Sequence, residues 1–372
     1  MSDDRWNRRE LLRAGAGLGL AAYGLGGLAG CTVERPIDRS AAAEVVVPKV
    51  DGDLHIYNWA QYMDPSLKKT FSDRYGVNVF ESNFDNLEAM LTKIRSGASY
   101  DVIFPSGEYV YRMRQEGLIR PYDRSRLRNI DNVVHYYDSP WYDPHAEFTV
   151  PYAYYTTGIC WRSDQVSGMT GSWNDMMNPE AAGRMFILDD FEEAIGEANM
   201  INGFPINTAD TNQLETSKQT LLQQKQNARG FSTNSVQNLV SGLAVVHQAW
   251  NGDVVNVRNQ VDNPEVFRYE TCKEGVPVAT DSMCIPVNAR SPGTAMLFMD
   301  WVLEPDNAYK NVMWNGYPMP CDGGRQAFAK LVKTEPAIDV NLDLLSNGLE
   351  YNLGTTENRQ EWSKIFTEVK AG

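Results

Sequence analysis

Apolar and polar positions alternate with two different periods along the first half of the chain. Leu54–Tyr57 is a short run of strand-forming residues. Leu67, Phe71 and Tyr75 then fall four apart on one helical face, and Gly76 is placed to end that helix in a left-handed cap. Val77–Phe80 reads as the next strand. Leu87, Met90, Leu91 and Ile94 keep the i, i+3, i+4, i+7 spacing of an amphipathic helix that Gly97 closes. Asp101–Pro105 is a further strand, with Ser106 and Gly107 at its carboxyl end. Strands and helices in this order, joined by short links, predict an α/β protein with a mostly parallel sheet covered by helices on both faces.

The same pattern continues in the middle. Ser172 opens an S-x-x-D helix start with Asp175. Met185–Leu188 reads as a strand with Asp189 and Asp190 at its end, Val236–Leu243 as a helix, and Ala244–Trp250 as a buried strand. Helices are expected near Thr294–Leu303 and at Glu361–Lys370, the latter with Trp362, Ile365, Phe366 and Val369 on one face. In open α/β sheets ligands bind beyond the carboxyl ends of strands. That rule selects Asn58–Tyr62, Ser106–Tyr109, Asp189–Glu193, Trp250–Asp253 and Asp281–Ser282, which are rich in aromatic rings and carboxylates. Rings attract a cation through their quadrupole, and carboxylates pair with ammonium groups through charge-assisted hydrogen bonds. The stretches together suit a small organic cation.

Charge agrees with that chemistry. Lys and Arg number 34 against 48 Asp and Glu, a net charge of −14, which opposes nucleic-acid binding and fits a neutral or cationic partner. The first thirty residues stand apart. Arg8-Arg9 precede an apolar, glycine-rich run from Ala14 to Ala29, and Leu28-Ala29-Gly30-Cys31 places small residues before a cysteine. The run is shorter than the ~20 apolar residues of a membrane span. We read 1–30 as a twin-arginine type lipoprotein signal, Cys31 as the lipidated residue, and 31–52 as a flexible tether. Such a leader sends the protein to the outer face of the cytoplasmic membrane. Export permits disulfides among Cys160, Cys272, Cys284 and Cys321, but their spacing selects no pairing. None forms a C-x-x-C pair, which disfavours zinc.

Paired acids such as Asp190, Glu193 and Asp281 could also serve as general acid and base in a glycoside hydrolase. Against an enzyme, the chain lacks a G-x-S-x-G elbow, an H-E-x-x-H motif and a P-loop. Its histidines, His55, His135, His145 and His247, are scattered. No cofactor or metal is expected.

The motifs Tyr57-Asn58-Trp59-Ala60-Gln61-Tyr62, Tyr100–Ser106, Val150-Pro151-Tyr152, Leu188–Glu193, Trp250-Asn251-Gly252, Thr280-Asp281-Ser282 and Gly316-Tyr317-Pro318 occur in this order from about Leu54 to the C-terminus. In order and spacing they resemble the bacterial spermidine/putrescine-binding proteins of polyamine ABC importers. The resemblance implies a type II periplasmic-binding-protein fold of two hinged α/β lobes, 53–154 plus 281–325 and 155–280 plus 326–372. It implies ligand contacts from Trp59, Tyr62 and Ser106, an amine held by Asp190 and Glu193, stacking by Trp250, a second amine on Asp281, and a further aromatic wall from Tyr317. It also implies a monomer that hands its solute to a permease and an ATPase. This chain departs from the family at Ala279, where a Trp is usual; Tyr154 or Tyr155 could fill that space. Glu108 stands where relatives carry Tyr, and Asn352 where they carry Gln. These departures leave open another organic cation or amino-acid-like solute. A solute-sensing lipoprotein that signals to a membrane receptor would use the same pocket.

Overall fold

The first strand, β1 (Leu54–Trp59), lies between β2 (Val79–Phe84) and β3 (Val102–Ile103) in a three-stranded sheet of order β2-β1-β3, parallel throughout. This computed structural model describes residues 44–340 and 349–372. All of them belong to one unit, Arg35–Gly372; the other unit, Met1–Glu34, lies outside the described residues. The expected signal peptide, Cys31 and the expected tether up to residue 43 therefore fall outside what is described. Residues 44–52 correct the tether reading: Val46 is buried and exchanges backbone hydrogen bonds with Pro121 and Asp123, and the Asp51 carboxylate accepts from the backbone N–H of Gly293 and Thr294, so this stretch is docked on the domain.

Helix α1 (Pro65–Tyr75) follows β1 and buries Leu67 and Phe71; it ends at Gly76, whose φ of 67° is the left-handed cap that only glycine adopts without strain. Helix α2 (Leu87–Arg95) buries all four periodic positions, Leu87, Met90, Leu91 and Ile94. Strand β2 starts two residues later than its hydrophobic pattern suggests and runs on to Phe84. Strand β3 is only two residues long; just before it the Asp101 carboxylate accepts from the backbone of His55, Arg290 and Ser291 and ties this edge to the chain preceding Pro292. Helix α3 (Gly107–Gln115) follows directly, with Ser106 at its N-cap.

A strand that periodicity alone did not reveal carries the chain across the molecule. β4 (Val150–Arg162) is thirteen residues long and almost wholly buried, so it shows no apolar–polar alternation. Strands β5 (Met185–Ile187), β6 (Ala228–Phe231), β7 (Val246–Trp250), β8 (Phe267–Glu270), β9 (Pro277–Met283) and β10 (Leu349–Glu350) complete the second sheet, ordered β10-β9-β4-β7-β5-β6 with β8 also on β4. This sheet is mixed, which corrects the mostly parallel expectation for it. β4 runs antiparallel to β7, β8 and β9, whereas β5–β6, β5–β7 and β9–β10 are parallel. β4 crosses outward and β9 returns beside it, so the two crossing segments must oppose each other.

Helices α4 (Phe191–Ile201) and α5 (Thr211–Asn227) and the C-terminal helix Thr356–Ala371 pack together over the second sheet. Trp362, Ile365, Phe366 and Val369 are buried there, as their spacing predicts. Ser172 and Asp175 do form a capping box, but on a five-residue 3-10 turn, Trp173–Met177, rather than an α-helix. Helices α6 (Ser235–Val240), α7 (Asn251–Arg258), α8 (Pro292–Val302), α9 (Pro305–Asn315) and α10 (Asp322–Thr334) complete the described framework. Cys160, Cys272, Cys284 and Cys321 are all buried and free, so the disulfides that export permits do not form among them. No helix among the described residues is long and apolar enough to cross a membrane.

Candidate functional site

Trp59 at the end of β1, Ser106 and Glu108 at the start of α3, Asp190 at the cap of α4, and Trp250 between β7 and α7 all sit at the carboxyl ends of parallel or central strands. Asp281 does not. It lies inside β9, paired with Ala153 of β4, at the point where both strands cross the molecule. Its carboxylate therefore stands between the two sheets rather than beyond one of them, which corrects its assignment to a strand end. A backbone bridge sets Ser106 beside it.

These residues line two adjoining cavities. The larger, about 450 Å³, is walled by Tyr62, Tyr317 and Asp253 and contains Asp281. The smaller, about 30 Å³, contains Ser106, Glu108, Asp190, Glu192, Glu193 and Glu350. Trp59, Tyr155 and Trp250 border both. Trp250 packs edge-on against Trp59 at 5.8 Å and against Tyr155 at 6.0 Å, between the ring centroids. All eight site residues expected from the resemblance thus converge on one cleft. Ala279 lines the smaller cavity and sits in register with Tyr155, which supplies the aromatic surface beside it. Asn352, by contrast, is exposed and bonds Asn207; its neighbour Tyr351 faces the cavity.

Hydroxyl and indole donors hold the carboxylates in place. The Tyr62 hydroxyl donates to Asp281 Oδ2 at 2.8 Å, and that of Tyr155 to Oδ1 at 3.3 Å. Glu193 Oε1 accepts from Trp250 Nε1 and Thr157 Oγ1, each at 2.9 Å, and Oε2 from the Tyr351 hydroxyl at 3.0 Å. Asp190 Oδ1 accepts from the backbone N–H of Glu192 and Glu193, so it caps α4 while it faces the cleft. Tyr317 donates to Asp253 at 2.5 Å, and its ring presses on Gly252, where any Cβ would collide with it. Glycine at 252 is therefore a packing requirement of this wall.

Burial acts on every one of these acids. It pushes Asp281 up to about 7 and Glu193 up to about 7, the latter with help from the Asp190 charge. Asp190 rises to about 6 for the same reason, against its backbone hydrogen bonds. Glu192 moves well upward through burial and then the Asp190 and Glu108 charges. Burial also raises Glu108, although Arg359 opposes the rise. Among the described residues no lysine or arginine lines either cavity. Among the described residues no group of His, Cys, Asp or Glu is arranged to hold a metal ion. His247 is not part of this chemistry: it is buried on β7 between Asn238 and the Gln248 carbonyl, and burial lowers it to about 4.

Contacts between the two sheets' helices and loops close the cleft on several sides. Trp141 Nε1 donates to Glu350 at 2.8 Å, Thr233 Oγ1 to the Asp85 carbonyl at 2.6 Å, and Arg359 pairs with Glu108. Glu192 and Asp253 lie inside stretches that the strand-end rule selects, Asp189–Glu193 and Trp250–Asp253, but were given no contact of their own. Tyr351, Glu350 and Arg359 come from distant segments and had no signal in the sequence.

Residues 62–339 match the family of bacterial extracellular solute-binding proteins, and the chain belongs to that exported family. The spermidine/putrescine-binding periplasmic protein of Salmonella typhimurium is 28% identical over 323 residues, covering 86% of this chain and 92% of its own. A putative spermidine/putrescine ABC transporter structure from Listeria monocytogenes superposes with a TM-score of 0.79 at 25% identity, over 86% of this chain and 99% of that one. A Treponema pallidum lipoprotein gives 0.74 at 24%, again over 86% and 99%, which attests the fold. The two-lobed type II architecture expected from the sequence is the architecture of these neighbours.

Proposed function

We propose that this protein is the substrate-binding subunit of an ABC importer and captures a polyamine of the spermidine/putrescine kind outside the cytoplasmic membrane. One observation carries the reading. The cavities hold Glu108, Asp190, Glu192, Glu193, Glu350, Asp85, Asp253 and Asp281, with aromatic walls and, among the described residues, no basic side chain. Buried carboxylates held above their ordinary proton affinity gain most from a cation that enters the cleft. An elongated ligand with a charge at each end matches acids spread over two adjoining chambers. The names of the relatives support the same ligand class.

In this reading Trp59, Tyr62, Trp250 and Tyr317 wall the methylene chain, Asp190 and Glu193 hold one amine, Asp281 another, and Ser106 adds a polar contact. The lobes are 53–154 with 281–325 and 155–280 with 326–372. Two of the boundaries fall in paired strands β4 and β9; the third falls inside α10, so the rigid helix shifts that crossing to its ends. Opening separates the acids, and the ligand favours the closed form through contacts made only there. Permease and ATPase partners read the closed form, and capture leaves the amine chemically unchanged. Cys31 is lipidated after removal of 1–30, and the protein acts as a monomer.

Calorimetric titration with putrescine, spermidine, spermine, choline, arginine and γ-aminobutyrate tests the ligand. Micromolar or tighter binding of a polyamine is expected. Silence from polyamines with a response to another solute overturns the assignment. Cys31→Ser is expected to release the protein from the membrane fraction; retention there refutes the anchor.

A further inference from the structure

The smaller cavity contains more than the expected pair of acids. Three side-chain oxygens of residues that line it have no hydrogen-bond partner among the described residues: Ser106 Oγ, Glu108 Oε2 and Glu192 Oε1. Their residues are only 6%, 2% and 4% exposed, so water does not meet this demand cheaply. Ser106 is the N-cap of α3, a position where serine normally accepts from the helix backbone, yet its hydroxyl makes no cap hydrogen bond. Ser106 stands at the N-cap of α3 and Glu108 lies in its first turn, whereas Glu192 lies in the first turn of α4, so two helix N-termini bring the three residues to one cavity. The cavity of about 30 Å³ has room for roughly two water-sized groups. A primary ammonium group has that size and carries three N–H donors.

The wall behind the cavity is equally specific. Glu108 turns its other oxygen, Oε1, to Arg359 of the C-terminal helix. Glu108 lines the small cavity, whereas Arg359 lines a separate outer groove of about 820 Å³ with Glu88, Arg112 and Lys364. The ion pair is thus the partition between the cleft and the outside. Arg359 brings a positive charge to the place where a longer cationic chain would continue.

We propose that Ser106 Oγ, Glu108 Oε2 and Glu192 Oε1 form a subsite for one terminal primary ammonium group, and that the Glu108–Arg359 pair ends the cleft behind it. The subsite deepens the polyamine reading and rests on it. It favours amines whose charged end is a terminal –NH3+ and whose length fits between this wall and Asp281, and it disfavours chains that must pass the wall. Ser106 and Glu192 are then binding residues, and Arg359 is a positioning residue that sets ligand length through Glu108.

Calorimetry on the whole protein with putrescine, 1,5-diaminopentane, spermidine and spermine, for the unaltered chain and the variants Ser106→Ala, Glu192→Gln and Arg359→Gln, tests this. Glu192→Gln is expected to weaken each bound amine by about tenfold to a hundredfold, the worth of a hydrogen bond to a charged group. Ser106→Ala removes a hydroxyl with no partner in the protein, so it leaves folding unchanged, and is expected to weaken binding by about threefold to tenfold. Arg359→Gln is expected to shift the ratio of spermine to putrescine affinity upward by about tenfold. If the unaltered protein binds no amine, the polyamine reading falls and the subsite with it. If it binds amines but Ser106→Ala and Glu192→Gln leave affinity within about twofold, the subsite alone is overturned. An equal loss for all ligands in Arg359→Gln overturns the length wall, since a contact that merely holds the cleft shut cannot discriminate by length.

Discussion

The two ends of the cleft hold negative charge in different ways. Around Asp281 and Asp253 the carboxylate oxygens meet donors from the protein itself: Tyr62, Tyr155, Tyr317, Ser235 and the Trp250 backbone. The space beside them is about 450 Å³. Around Glu108 and Glu192 the space is about 30 Å³ and two carboxylate oxygens have no hydrogen-bond donor among the described residues. The first end can hold a cation by charge and aromatic surface with little demand on shape. The second needs a group with the right number of donors in a small volume. A ligand that spans both is positioned by the tight end and accommodated by the loose one.

The largest expected effect lies at the loose end. Asp281→Asn removes the charge but keeps the shape, and binding of a di-cation is expected to weaken by roughly 2–5 kcal/mol in calorimetry. Unchanged affinity would remove Asp281 from the pocket and leave the tight end alone in charge. Trp250→Ala touches both ends, since the indole donates to Glu193 and borders each cavity. A loss of about 2–3 kcal/mol is expected from the hydrogen bond and the ring surface together.

Acidity separates the ends from bulk solvent. Burial pushes Asp281 and Glu193 up to about 7 and Asp190 up to about 6. A bound cation favours their ionised state, so ligand binding releases protons, and affinity is expected to fall as pH drops from 8 to 5.5. Titrations in buffers of different ionisation enthalpy measure the protons directly; a pH-independent affinity refutes the electrostatic account. The sign for folding is opposite. These groups bind protons more tightly folded than unfolded, so their penalty is absent below about pH 4, grows up to about 7 and is complete above it. Gly252→Ala is a smaller test, confined to the Tyr317 wall, and is expected to cost about 1–3 kcal/mol of stability by overpacking, read from denaturant melts. At the bottom of the scale, a reductant is expected to leave the melting temperature unchanged, because all four described cysteines are free.

What could be read from the chain followed the range of the interactions. Helix α2 buries the four residues its spacing marks, α1 buries Leu67 and Phe71 but leaves Tyr75 half-buried, and the C-terminal helix buries its four marked apolar residues and also Arg359. Strand β4 was hidden because burial on both faces removes the alternation that marks a strand. In the site, Trp59, Ser106, Asp190 and Trp250 were legible from strand ends, and Asp281 from its motif although it lies mid-strand. Tyr351, Glu350 and Arg359 were not, since each reaches the cleft from a segment remote in sequence.

The sequence by itself determined the local helices and caps, the acidic and aromatic character of the cleft-lining stretches, and the family to which they are similar. Those properties depend on neighbours within a few residues or on composition. Only the tertiary structure decided that the second sheet is mixed, that the cysteines stay apart, that Tyr155 stands beside Ala279, and that Arg359 meets Glu108. Each of these is a pairing between positions far apart in the chain, and a residue carries no local mark of the partner it meets when two distant elements pack together.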